Sequence, residues 1–141
     1  MTDILRSAKD ILEMEHCTCV IVKEDKAYTS MERGVKPLLS WLEENIDFKS
    51  ASAADKVVGK AAAYIYVKMQ ISEIYTNVIS KLAYEVLNKY GIDVYYEQMV
   101  DAIRNRTNTG FCPMEAAVKD IDAPDEALTA VKNRLAELTM K

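Results

Sequence analysis

Glycine and proline are scarce in this chain, with four and three among 141 residues, and that scarcity leaves little room for flexible linkers or disordered tracts. Histidine is scarcer still, His16 being the only one. The three cysteines, Cys17, Cys19 and Cys112, are an odd number without a framework spacing, which excludes a disulfide scaffold and fits a reducing compartment. An excess of basic residues is also missing. Lys and Arg number 18 against 22 Asp and Glu, a net charge of -4, so no general basic field awaits phosphates and no nucleic-acid partner is expected. Long apolar runs are absent. The most apolar stretch, residues 57–69, is too short to span a bilayer and carries Lys60 and Lys68, so no membrane association is expected. The first ten residues interleave charge with apolar side chains, unlike the apolar core of a secretion signal. A cytoplasmic protein is the expectation. Its length suits one domain covering residues 1–141, and with 50% apolar residues it can bury a substantial core.

The apolar pattern places the elements. Ile4, Leu5, Ala8, Ile11 and Leu12 share one face of a helix that Thr2 or Asp3 can cap. Cys17-Thr18-Cys19-Val20-Ile21-Val22 reads as a strand, with Cys17 and Cys19 on one face, and Glu24-Asp25-Lys26 turns it into Ala27-Tyr28-Thr29-Ser30. Pro37 opens a short helix through Leu42. Ser52-Ala53-Ala54-Asp55 has the form of a helix start, and residues 57–67 are apolar on nearly every side, as in a helix packed centrally against a sheet. Residues 74–79 read as a buried strand, residues around Leu82 to Leu87 as a helix ended by Gly91, and residues 92–96 as another strand. A short helix is expected near residues 99–103, then a polar loop, a helix start at Pro113, and a last helix from Pro124 with Leu128, Val131, Leu135 and Leu138 as its stripe. The expected fold class is α/β, a three-layer α/β/α arrangement with a mixed sheet.

Three blocks are distinctive: Arg33-Gly34-Val35-Lys36-Pro37-Leu38-Leu39, residues 53–63 from Ala53-Ala54-Asp55 through Gly59-Lys60-Ala61, and Asn105-Arg106-Thr107-Asn108-Thr109-Gly110-Phe111-Cys112-Pro113-Met114-Glu115. They resemble the signature blocks of a small bacterial domain-of-unknown-function family grouped with the cytidine-deaminase fold. The resemblance spans nearly the whole chain and implies a cytidine-deaminase-like fold, without a reaction to carry over. Working deaminases hold zinc through a His or Cys and two further Cys, with a Glu two residues after the first ligand. Here Gly59-Lys60-Ala61-Ala62 and Ile79-Ser80-Lys81-Leu82-Ala83 stand where those motifs belong. Neither a metal ligand set nor any other cofactor is expected, and the chain is not read as a zinc-dependent deaminase. His16-Cys17-Thr18-Cys19 is the one remaining metal-like cluster, and its cysteines are read as small apolar core residues in preference to ligands.

Several residues carry candidate chemistry. Cys112 stands before Pro113 and Glu115 at a helix start, where a thiolate is favoured, with Arg104 and Arg106 shortly upstream; alternatively it is a buried cysteine while Glu115 completes the cap of its own helix. Lys60, beside Gly59 in an apolar helix, needs Asp55, Glu115 or a ligand anion as partner. Arg33 and Lys36 flank Gly34 at a helix start and suit a phosphate or carboxylate. The tyrosines offer ring platforms for a nucleobase or simple packing. Together these define a binding site for a small anionic or nucleotide-like molecule, formed by Arg33, Lys36, Asp55, Gly59, Lys60, Arg106, Thr109, Gly110 and Glu115. The alternatives are a metal-independent enzyme with Cys112 as nucleophile aided by Lys60, and a structural or partner-binding domain. A homo-oligomer is compatible with either.

Overall fold

Thr2 starts the first helix, its side-chain oxygen accepting from the Leu5 amide at 3.1 Å. The computed structural model describes residues 1–32, 34–103 and 112–139. In chain order these form α1 (Asp3–Met14), β1 (Cys19–Lys23), β2 (Lys26–Ser30), α2 (Lys36–Glu43), β3 (Ser52–Val58), α3 (Lys60–Met69), β4 (Glu73–Ser80), α4 (Lys81–Lys89), β5 (Asp93–Val100), α5 (Pro113–Val118) and α6 (Pro124–Thr139). The five strands make one mixed sheet in the order β2-β1-β3-β4-β5. β1 is antiparallel to β2 and β3, while β3, β4 and β5 are parallel.

Helices cover both faces, giving three layers. On one face α1 is the only helix among the described residues, setting Leu5, Ala8 and Leu12 against Val20, Val22, Ala54 and Tyr75. On the other, α3 lies at the centre of a larger core and touches α2, α4, α5 and α6. No helix among the described residues is long and apolar enough to cross a membrane.

Four expectations need correction. The expected helix start at residues 52–55 is the strand β3, and the helix begins only at Lys60. Central strands are covered on both faces, and Ala53 and Ala54, both wholly buried, let α1 and α3 approach from opposite sides. This burial overrides alanine's preference for helix. The helix expected near residues 99–103 does not form, because Met99 and Val100 extend β5 in register with Ile79 and Ser80. Cys17 and Cys19 are both buried, yet they serve opposite layers: Cys17 joins the α1 core and Cys19 the α3 core. Strand geometry begins only at Cys19, so alternation does not reach back to Cys17. In α6, Ala127 and Val131 are fully buried while Leu138 is exposed, since the helix runs past the core it covers.

The pairing has one consequence for function. With β1 reversed relative to its neighbours, the carboxyl ends of β2, β3, β4 and β5 all reach the same edge of the sheet. α3 and α4 both begin there, immediately after β3 and β4. In open α/β sheets this edge is where ligands are usually received.

Candidate functional site at the start of the central helix

A helix begins with backbone N–H groups that lack partners inside the helix. At α3 the cap residue is Gly59, in extended conformation, which contributes no side chain to meet them. Glu115 of α5 does so instead: its Oε1 accepts from the Lys60 amide at 2.6 Å and its Oε2 from the Ala61 amide at 2.9 Å. Negative charge is favourable at this end of the helix dipole. Gly59 is what admits the carboxylate, because a Cβ at this position would stand 2.0 Å from Glu115 Oε1.

The Lys60 side chain lies beside this contact. Only 5% of the residue is exposed, and its Nζ donates to the Lys119 carbonyl at 2.9 Å, 5.8 Å from the centre of the Tyr64 ring. No carboxylate among the described residues lies within ion-pair distance of it. The Tyr64 hydroxyl donates to the Ile121 carbonyl at 2.9 Å. Burial pushes the Glu115 carboxyl above its ordinary range, against the opposing pull of the Ala61 and Lys60 amides and of the Lys60 charge. The result is a nearly dry spot where a carboxylate, a cation and a helix terminus converge.

Asp55 occupies a different place. It points from β3 into the layer beneath α3, where the Tyr66 hydroxyl donates to its Oδ2 at 2.7 Å and the Val57 amide approaches Oδ1 at 3.4 Å. The register sets Cys19 on one side of it and Thr76 on the other. Desolvation pushes its carboxyl up to about 7, although the Tyr66 hydroxyl and nearby amides favour the charged form. The Cys19 thiol is pushed far up by burial and then by Asp55, and the Tyr66 hydroxyl is pushed well up for the same two reasons. Asp55 is thus tied to Tyr66 rather than to Lys60.

Of the residues expected to share a site, Gly59, Lys60 and Glu115 come together. Lys36 is exposed at the head of α2. Arg33, Arg106, Thr109 and Gly110 lie outside the described residues. Cys112 is half-buried at the cap of α5, and its amide donates to the Ile103 carbonyl at 3.1 Å. Glu115 does not complete that cap; its carboxylate reaches back to α3. Sequence reasoning missed the Lys119 and Ile121 carbonyls and the specific roles of Tyr64 and Tyr66. A glycine at a helix start without a capping side chain is the signal that some distant group must supply the cap. A surface hollow of about 420 Å³ lies instead at the β1–β2 turn, lined by residues including Lys23, Lys26, Tyr28 and Asp47, away from this convergence.

The starts of α3 and α4 offer Lys60, Ser80 and Lys81. A cation beside the site and the lack of His or Cys donors do not fit a zinc ion. Among the described residues no three His, Cys, Asp or Glu side chains are grouped to hold a metal.

Fold and site together define a three-layer α/β domain with a mixed sheet, carrying a lysine and an internally bound carboxylate at the start of its central helix. The chain belongs to the DUF1893 family, a domain of unknown function, which matches residues 7–135. It is similar to the crystal structure of a DUF1893 family protein from Thermotoga maritima, with 29% identity and a TM-score of 0.86 over 95% of this chain and 91% of that one. Two further structures overlap it less well. One is a dCMP deaminase from the cyanophage S-TIM5 in apo form, at 9% identity and a TM-score of 0.45 over 71% of this chain and 100% of that one. The other is a diaminohydroxyphosphoribosylaminopyrimidine deaminase/5-amino-6-(5-phosphoribosylamino)uracil reductase from Thermotoga maritima, at 13% identity and a TM-score of 0.42 over 57% of this chain and 29% of that one. No curated protein matches the chain.

Proposed function

We propose that this protein binds a small anionic or nucleotide-like molecule at the carboxyl edge of its parallel strands, with Lys60 as the anchoring cation. The observation that carries this reading is the state of the α3 start. A buried lysine stands there with no carboxylate within ion-pair distance among the described residues, beside helix amides that already hold one carboxylate, that of Glu115. A phosphate or carboxylate entering there would exchange places with Glu115 and meet the same two donors together with the Lys60 charge. Arg33, Lys36, Arg106, Thr109 and Gly110 are the residues proposed to extend the site, and Asp55 is withdrawn from direct contact because it faces Tyr66. The Cys112 nucleophile gains less support: among the described residues no basic side chain hydrogen-bonds its thiol, as activation of a nucleophile requires.

Thermal unfolding with inorganic phosphate, sugar phosphates and nucleoside monophosphates tests the reading. A ligand at a hundred times its Kd stabilises the folded state by about 2.7 kcal/mol, a rise of several degrees for a domain of this size. Such a rise is expected in wild type and should vanish in Lys60→Ala. Equal shifts in both proteins would remove Lys60 as the anchor.

A further inference from the structure

We infer that residues 113–121 form a strap over the start of α3, latched by Glu115 through a window that exists only because residue 59 is glycine. The contacts run in order along the helix. Glu115 holds the Lys60 and Ala61 amides, the Lys119 carbonyl takes the Lys60 ammonium, and the Ile121 carbonyl takes the Tyr64 hydroxyl. Met114 and Val118 pin the strap to the core from beneath.

The strap has little stability of its own. α5 is six residues long and its cap, Cys112, makes no side-chain bond to it; so short a helix depends on what it packs against. The contact of Glu115, which engages two helix amides where the Lys119 and Ile121 carbonyls each engage one donor here, is therefore a main polar hold. That contact is also the one most easily withdrawn, because the atoms nearest a Cβ at residue 59 are all in the Glu115 carboxyl group, at 2.0, 2.3 and 2.8 Å. This is the movable end of a side chain, so a methyl group there displaces the carboxylate and leaves the backbone of α3 in place.

Beneath the strap lie Lys60 and Tyr64, exposed by only 5% and 3%. A strap that lifts uncovers a cation and a ring together. Its purpose as a gate rests on the binding reading above, whereas its existence as a latch does not.

Amide hydrogen exchange of the full chain separates the two. In Glu115→Ala and in Gly59→Ala, exchange at the Lys60 and Ala61 amides and across residues 113–121 should quicken by about tenfold or more, the loss expected for a charge-assisted hydrogen bond. β4 should keep its wild-type protection. The double variant Gly59→Ala/Glu115→Ala should exchange like Glu115→Ala alone, because the added methyl no longer meets a carboxylate. Wild-type exchange in Gly59→Ala, or effects of the two substitutions that multiply, would overturn the latch. Should Gly59→Ala fail to fold, Glu115→Gln decides: faster exchange confined to the strap and the α3 start upholds it, and wild-type rates overturn it. Quickened exchange in a protein that no phosphate stabilises would leave the latch standing and remove the binding reading.

Discussion

Glu115 and Asp55 both reach α3, the first from outside at its opening turn, the second from the sheet beneath its second turn. Glu115 accepts two backbone N–H groups at the favourable end of a helix and lies near a lysine charge. Asp55 has the Tyr66 hydroxyl and the Val57 and Lys56 amides, with a thiol and a threonine beside it and, among the described residues, no cation among its perturbing neighbours. Both are raised by burial, but Asp55 reaches about 7. Burial favours the protonated form of both carboxyls, and among the described residues a nearby cation opposes it only at Glu115, where Lys60 stands. The first arrangement is suited to exchange with another anion; the second ties the sheet to the central helix.

The largest expected effect follows from Asp55. A carboxyl whose folded-state pKa is raised from 3.8 to about 7 holds its proton more tightly folded than unfolded. Its contribution to stability is complete below pH 3.8 and is lost as pH rises toward 7, a difference of about 4 kcal/mol. Asp55→Asn cannot titrate, so urea unfolding of this variant should lose its share of the decline between pH 4 and pH 7. Parallel profiles for the two proteins would show that Asp55 is less isolated than its surroundings indicate. Tyr66→Phe sharpens the same point with a smaller effect of about 1–3 kcal/mol. The loss should be greater at pH 8 than at pH 4, because the hydroxyl donates to the ionised form.

The thiols provide the smallest perturbation. Cys112 is half-buried, whereas Cys17 and Cys19 are buried and both pushed upward in pKa by desolvation. Limiting iodoacetamide at neutral pH should therefore label Cys112 first in the folded protein, as peptide mass mapping would show. Equal labelling of all three would indicate that the α1 layer opens more readily than its packing implies.

Much of the fold was legible in the sequence, and its largest misreading came from neighbours distant in the chain. The periodic stripe of α1, the β1–β2 hairpin and the Pro37, Pro113 and Pro124 helix starts are local signals, and the structure keeps them. β3 was misread because Ala53 and Ala54 were chosen for the room they leave between α1 and α3, a property of neighbours distant in the chain. Half of the candidate site was legible in the same way. Lys60 stood out as a charge in an apolar helix, and Gly59 as its neighbour. Glu115 stands out in the sequence as one possible partner for Lys60 and alternatively as the cap of its own helix; that it instead meets the backbone amides 54 and 55 residues earlier is set by packing and has no local signal.

The most direct test is an amide-resolved titration of isotopically labelled protein with a nucleoside monophosphate. Saturable shifts of the Lys60 and Ala61 amides are expected in wild type. In Glu115→Ala, where the resident carboxylate no longer competes, the same shifts should saturate at a lower concentration. Lys60 and Ala61 resonances that stay fixed in both proteins at millimolar ligand would contradict the claim that the start of α3 is an anion site held in reserve by Glu115.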